Sequence, residues 1–355
     1  MSAAAEDLTT DGAEIDVIVI GAGIMGAATA RALALAGKRV LVLEQYQIGH
    51  RDGSSHGASR AFTFAHPDPE FVAMAAESQP LWRSLEAETG ARLLTPIGAL
   101  LRPLDLSSIT ATLDQHLLDY EVLTAAAIDA RFGIRLPRAA SLIYQADAGM
   151  LAADVALHAM LSSAQKHGAE LHERTRVTGF TSDSQGVEVR TTGQTLRARA
   201  AVVTAGGWAP ALLAEAGVAL TATPTRETVA FYEMDENVPA LFEHGNPPLY
   251  SLLSPGEGLK VGEHHAGPVA DPPHQGAPSD DSIARLTQYV RSRFPMARPE
   301  PSHAETCIYT NTPDERFVLE CHGRIVVGCA CNGQGFKFAP AIGNRLAAMA
   351  VESAK

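Results

Sequence analysis

Short apolar runs alternate with polar turns along the chain, and several of them carry a readable period. Asp16 to Ile20 (DVIVI) is β-branched and uninterrupted, as a buried strand is. The segment AATARALALAG, ending on Gly37, reads as a packed helix, and RVLVLE after it as a second strand closing on Glu44. GLKVGEH, residues 258 to 264, alternates, which places Lys260, Gly262 and His264 on one strand face. RIVVGCACNG reads as a further buried strand running into a glycine loop. In CNGQGFKFAPAIGNRLAAMA the glycines give way to a helical pattern opened by proline. Strands alternating with helices in this order predict an α/β fold.

Between the first strand and its helix stands GAGIMG. Gly21, Gly23 and Gly26 complete G-x-G-x-x-G inside a βαβ unit, with the acid Glu44 at the end of the second strand. The first glycine makes the turn, the second lets backbone approach a pyrophosphate, and the third lets helix pack on strand. The helix N-terminus faces the phosphates, and the carboxylate suits a ribose diol. This is a dinucleotide site, and the motif alone does not separate FAD from NAD. The stretch Val17 to Gly37 is long and apolar enough to cross a bilayer. Arg31 inside it and the fixed glycine offsets favour the βαβ unit instead.

The chain has 355 residues, more than one core usually serves, so two domains are expected. A net charge of −12 without any lysine-arginine run argues against nucleic acid and anionic membranes as partners. Four cysteines make no disulfide framework and suit a reducing, cytoplasmic setting. Cys321, His322, Cys329 and Cys331 lie close in sequence, but C-x-C on a strand lacks the two-plus-two spacing of structural zinc, so no metal site is expected. The opening residues are small, polar and acidic, and residues 1–13 are expected to form a flexible tail.

Beyond Glu44 comes the loop QIGHRDGSSHGASRAF. Its GSSHGASR resembles the flavin-contacting loop of the monomeric sarcosine oxidase and N-methyltryptophan oxidase family of FAD-dependent amine oxidases. The resemblance continues in chain order: YQADAGMLAADVALHAMLSSAQKHGAEL, TRVTGF, ARAAVVTAGGW, GLKVGEH and GQGFKFAPAIG. It implies FAD, with His56, Ser59 and Arg60 along the isoalloxazine, and Val177, Gly206 and Trp208 near the adenosine half. Gly333, Gly335, Phe336 and Lys337 would form the C-terminal flavin loop, whose following helix N-terminus suits a reduced, negatively charged flavin. Lys260 falls on the family's oxygen-activating lysine. A charge pair at 4 Å is worth roughly 4 kcal/mol at an effective dielectric of 20, enough to favour electron transfer to O₂.

TCIYTNTPDE resembles the family's flavin-tethering site, in which Cys307 forms a thioether to the flavin, and a nearby cation is expected to lower the thiol pKa. Lys337, Tyr250 and His264 match the family's substrate-side residues. The family's second carboxylate-binding arginine is absent, because Thr63 stands three residues past Arg60. A hydroxyl does not replace a bidentate clamp. The substrate then relies on Lys337, or is anchored elsewhere by a residue such as Arg226 or Arg102.

The resemblance therefore implies a discontinuous Rossmann-type FAD domain of residues 14–82, 145–215 and 305–355. Residues 83–144 and 216–304 would form a second, mainly antiparallel-sheet substrate domain. The activity implied is oxidation of a secondary or cyclic amine, of the N-methyl or cyclic amino acid type, to an imine, with O₂ reduced to hydrogen peroxide. A flavin-dependent dehydrogenase or desaturase acting on a biosynthetic amine is the alternative. A monomer is expected, with a dimer left open.

Overall fold

The computed structural model describes residues 14–272 and 276–355, so the expected N-terminal tail lies outside the described residues. The fold is mixed α/β, with two eight-stranded sheets and a three-stranded one.

The first sheet is built outward from the fingerprint strand Ile15–Ile20, which is parallel to Val40–Leu43 on one side and Thr195–Val203 on the other. Glu170–His172 extends it beyond Val40–Leu43. The long strand Thr195–Val203 changes neighbours midway. Its first half pairs antiparallel with Val187–Thr191, and its second half is parallel to Ile325–Cys329. Residues 17–20, Val40–Leu43 and residues 200–203 are apolar because helices cover this part of the sheet. Helices Ile24–Leu35, Ala153–Lys166 and Ala339–Ser353 share one core with them. A Cβ on Gly343 would stand 2.6 Å from the Ala28 backbone, so two of these helices touch nearly backbone to backbone.

Helix Pro69–Thr89 contributes Phe71, Val72, Met74, Ala75, Trp82 and Leu85 to that same core. It runs unbroken across residue 82, capped by Asp68 at its start and by left-handed Gly90 at its end.

The second sheet runs in the order Pro301–Asn311, Thr223–Tyr232, Gly258–Glu263, Leu249–Ser254, Ala240–Glu243, Ala99–Arg102, Ser141–Gln145, Glu121–Thr124. Only the pairing of Ala240–Glu243 with Ala99–Arg102 is parallel. Residues 305–311, grouped on sequence with the first domain, are thus part of this sheet's edge strand. Ser279 caps helix Asp280–Arg293. No helix among the described residues is long and apolar enough to cross a membrane.

Candidate active site

Two cavities open where the sheets meet, one of about 560 Å³ and one of about 670 Å³. The first lies over the carboxyl ends of the parallel strands, where ligands of open α/β sheets bind. The fingerprint shapes it through backbone. Gly21 sits at φ +97°, a left-handed conformation, with Thr204 O only 2.7 Å from where its Cβ would be. A Cβ on Gly26 would be driven into the Gly21 carbonyl oxygen, which explains why Gly26 packs behind the cavity and does not line it. The helix begins at Ile24, inside the glycine motif, without a side-chain cap from Gly23; Ile24 N donates to Ser55 Oγ at 3.0 Å. Glu44 is buried and accepts from Ala22 N at 2.9 Å and Tyr46 N at 3.0 Å.

Gly21, Gly23, Glu44, His56, Arg60, Val177, Gly206, Trp208, Cys307, Gly333, Gly335 and Phe336 all line this first cavity. Ser59 does not. It is buried against Ser254 Oγ at 3.1 Å and faces the second cavity. Lys337 likewise faces only the second.

The loop after Glu44 is tied to the second sheet's edge strand. Ser54 Oγ donates to Ile308 O at 2.5 Å, and Arg51 pairs with Glu305. Arg60 folds back on its own loop, donating to Ser54 O at 2.8 Å and His56 O at 2.6 Å, and reaches within 3.9 Å of Cys307 Sγ. Burial, and after it the Arg60, Arg51 and Lys260 charges, pull the His56 imidazole down to about 3, so it is neutral at physiological pH. Cys307 departs from expectation. The Arg60 and Lys260 charges do favour its thiolate, but burial is the larger effect and the thiol is raised above its ordinary value.

The second cavity gathers Thr63, Tyr250, Lys260, His264 and Lys337. Lys260 lies between Phe231 and Leu252 in the register, its Nζ 5.8 Å from the Phe231 ring centre. Burial, then Arg60, lowers it to about 7, while Cys307, Glu257 and Asp154 pull the other way. The Tyr250 ring lies over Gly262, where a Cβ would stand 2.5 Å from its hydroxyl, so the glycine makes room for the tyrosine. Burial raises both Tyr250 and its neighbour Tyr309. His264 is one residue past the strand that carries Lys260, and burial followed by His265 and Lys337 holds it at about 3.

Lys337 belongs to the turn Gly335–Phe338. Its Nζ donates to Thr63 Oγ1 at 3.1 Å, and burial lowers it to about 8. Trp82 braces the turn: its Nε1 donates to Lys337 O at 2.8 Å, and its ring stacks on Phe336 at 6.1 Å and 3°. Neither alternative anchor enters. Arg102 is paired with Glu243 at 3.2 Å, and Arg226 packs beside Gly276, outside both cavity linings.

Six residues line both cavities: Arg60, Cys307, Tyr309, Gly333, Gln334 and Phe336. They form a common wall, built from three distant parts of the chain. The sequence reading missed Gln334 and Tyr309 as site residues, although both stand inside motifs it quoted. His66, which accepts from Asp68 N and meets Gln334 Oε1 at 3.0 Å, carried no signal at all.

The residues present fit a flavin dinucleotide. The glycine cradle admits a pyrophosphate, Glu44 suits a ribose, and the shared wall gives a ring system access to both cavities. The chain is 34% identical to the peroxisomal sarcosine oxidase of Homo sapiens, over 93% of its own length and 90% of that protein. It is 32% identical to the monomeric sarcosine oxidase of Bacillus sp. (strain NS-129), over 94% and 92%. Among solved structures, the open form of NikD, described as an unusual amino acid oxidase essential for nikkomycin biosynthesis, superposes with a TM-score of 0.86 at 30% identity, covering 96% of this chain and 95% of that one. Matching its model over residues 16–349, the chain belongs to the DAO family of FAD dependent oxidoreductases.

Proposed function

We propose that the protein oxidises the C–N bond of a secondary or cyclic amino acid, of the N-methyl or cyclic type, to an imine and passes the electrons to O₂. The supporting observation is the shared wall, which sets Lys337 and Thr63 on the substrate side of the place a flavin ring would fill. When bound, FAD supplies the acceptor for a hydride equivalent from the carbon beside the amine nitrogen.

The remaining work falls to the chain. Lys337, steadied by Thr63, is the cation for a substrate carboxylate. Arg60, Lys260 and Lys337 make the cavity positive, which disfavours an ammonium ion and leaves the amine in the neutral form that can react. Tyr250 and His264 supply neutral hydrogen-bonding groups, since His264 stays unprotonated at physiological pH. Lys260 is the fixed cation for O₂ reduction to hydrogen peroxide.

The test is anaerobic mixing of the flavin-loaded protein with a panel of N-methyl and cyclic amino acids. Bleaching of the yellow colour, followed by peroxide release on admitting air, is the expected outcome. A panel in which no amine bleaches the flavin overturns the reading, and bleaching that only an artificial acceptor reverses would make the protein a dehydrogenase.

The reading includes a tether from Cys307 Sγ to the flavin. Acid precipitation should leave colour in the wild-type pellet and release it from Cys307→Ser, while Cys329→Ser behaves as wild type. Colour freed from the wild type removes the tether. In the domain division we propose, residues 83–144 and 216–304 carry most of the second sheet, which would lie over the flavin. The described cysteines are all free, which supports a reducing, cytoplasmic setting, and the protein is read as a monomer.

A further inference from the structure

The substrate cavity carries a second chemical feature at its mouth, in residues that the amine chemistry does not require together. His264 and His265 follow one another just past the strand Gly258–Glu263. Consecutive residues of a strand point to opposite faces. Here His265 adopts φ +55°, which breaks the alternation, and the two imidazoles meet edge to face with ring centres 4.0 Å apart. Glu315, from the Thr-Pro-Asp-Glu turn, comes to the same place and is also left-handed, at φ +58°. One ring nitrogen of each histidine and one carboxylate oxygen lie within 4.8 Å of one another.

Both halves of the cluster are held by other groups. Ala266 N and Gly267 N donate to the buried Glu227 carboxylate at 3.0 and 2.8 Å, which fixes the backbone after His265. The turn around Glu315 is pinned by Thr312 N and Oγ1, which donate to Asn332 Oδ1 and Arg316 O. Arg316 in turn pairs with Asp68 at 2.8 Å and Glu70 at 2.9 Å. Left-handed backbone at two non-glycine residues costs on the order of 1–3 kcal/mol each and persists where surroundings impose it. A second observation points to a ligand. His265 Nε2 is buried from solvent without a hydrogen-bond partner, a state that normally costs stability.

We propose that His264, His265 and Glu315 form a binding site for one borderline transition-metal dication of the Zn²⁺ class. Two imidazoles and one carboxylate are the donor set of open, three-ligand zinc sites, and calcium or magnesium would ask for oxygen ligands instead. Metal–ligand bonds of about 2.0–2.2 Å place tetrahedral ligands roughly 3.4 Å apart, so side-chain rotation by about an ångström closes the site. The exposed Glu315 provides the way in from solvent, and three protein ligands leave a fourth coordination position open. An ion there ties up His264 and narrows the mouth, so it competes with substrate. That consequence rests on the amine-oxidation reading, whereas the binding does not.

Calorimetric titration of the flavin-loaded, full-length protein with Zn²⁺ tests the site. One equivalent is expected, with affinity at least tenfold weaker in both His265→Gln and Glu315→Gln and unchanged in Cys321→Ser. Should His265→Gln fail to fold, Glu315→Gln alone carries the test, because that side chain is exposed. Electron paramagnetic resonance with Cu²⁺ should show coupling to two imidazole nitrogens in the wild type and one in His265→Gln. Absence of binding, or binding that Glu315→Gln leaves intact, overturns the proposal, and loss in Cys321→Ser would assign the ion to a surface thiol. Neither readout involves turnover, so an unreactive amine panel leaves this result standing or falling by itself.

Discussion

The two cavities share a wall but are made in opposite ways. On the cofactor side the shape comes from backbone: a left-handed Gly21, a helix start without a side-chain cap, and Gly26 packed on a carbonyl. On the substrate side it comes from side chains that different strands and turns deliver, with Thr63 and Lys337 meeting across 274 positions of chain. A backbone-built site tolerates almost no change at its glycines, because the missing Cβ is the feature. A side-chain-built site can exchange an arginine for Thr63 and remain a cavity. The first kind conserves what is bound, and the second is where substrate choice is made.

The largest effect that would break this contrast is at Gly26. Gly26→Val is expected to yield protein without flavin, since the new side chain collides with backbone that has nowhere to go; overpacking of this kind costs at least about 1–3 kcal/mol. Absorbance at the flavin bands per mole of purified protein checks it, and normal loading would show that the cradle is softer than its contacts.

Next comes Lys260→Met. Anaerobic bleaching should survive, while reoxidation by air slows by about 10²–10³-fold, the usual cost of one preorganised charge. Stopped-flow traces of the two half-reactions separate the outcomes. The pH dependence has a definite sign. Lys260 is charged below its pKa, which is about 7 in the ligand-free protein and higher once an anion lies beside it. Reoxidation should therefore fall as pH rises through that value in the wild type and stay flat in Lys260→Met.

The smallest effect is at Thr63. Thr63→Val removes the hydroxyl partner of Lys337, and a hydrogen bond to a charged group is worth about 1.5–3 kcal/mol. The Michaelis constant for a carboxylate-bearing substrate should rise about tenfold, with turnover at saturation little changed. Equal losses in both constants would place Thr63 in the chemistry.

This contrast also sets what the sequence could say. The βαβ unit, Glu44 and the glycine loop at Gly333 were legible because a phosphate or a tight turn dictates residue types over a few consecutive positions. Alternation placed Lys260 on one strand face with Gly262 and His264, and only the resemblance made it a site residue. His66 and His265 were not legible, since nothing local distinguishes them from solvated histidines. A left-handed φ brings His265 to the cavity, and His66 arrives on the loop after strand Arg60–Phe62. The thiol of Cys307 was misjudged for a related reason. The cations around it were foreseeable, but the depth of burial that outweighs them is a property of the assembled wall.

Helix Pro69–Thr89 is tied to two residues that line the second cavity, Arg316 and Lys337. Its capping residue Asp68 and its Glu70 hold Arg316, while Trp82 braces Lys337. Twelve residues of helix separate those points, a rise of roughly 18 Å at 1.5 Å per residue. The helix is therefore a ruler. A carboxylate bound at Lys337, as proposed above, would lie a helix-set distance from Arg316, so substrate length is what the two ends would read.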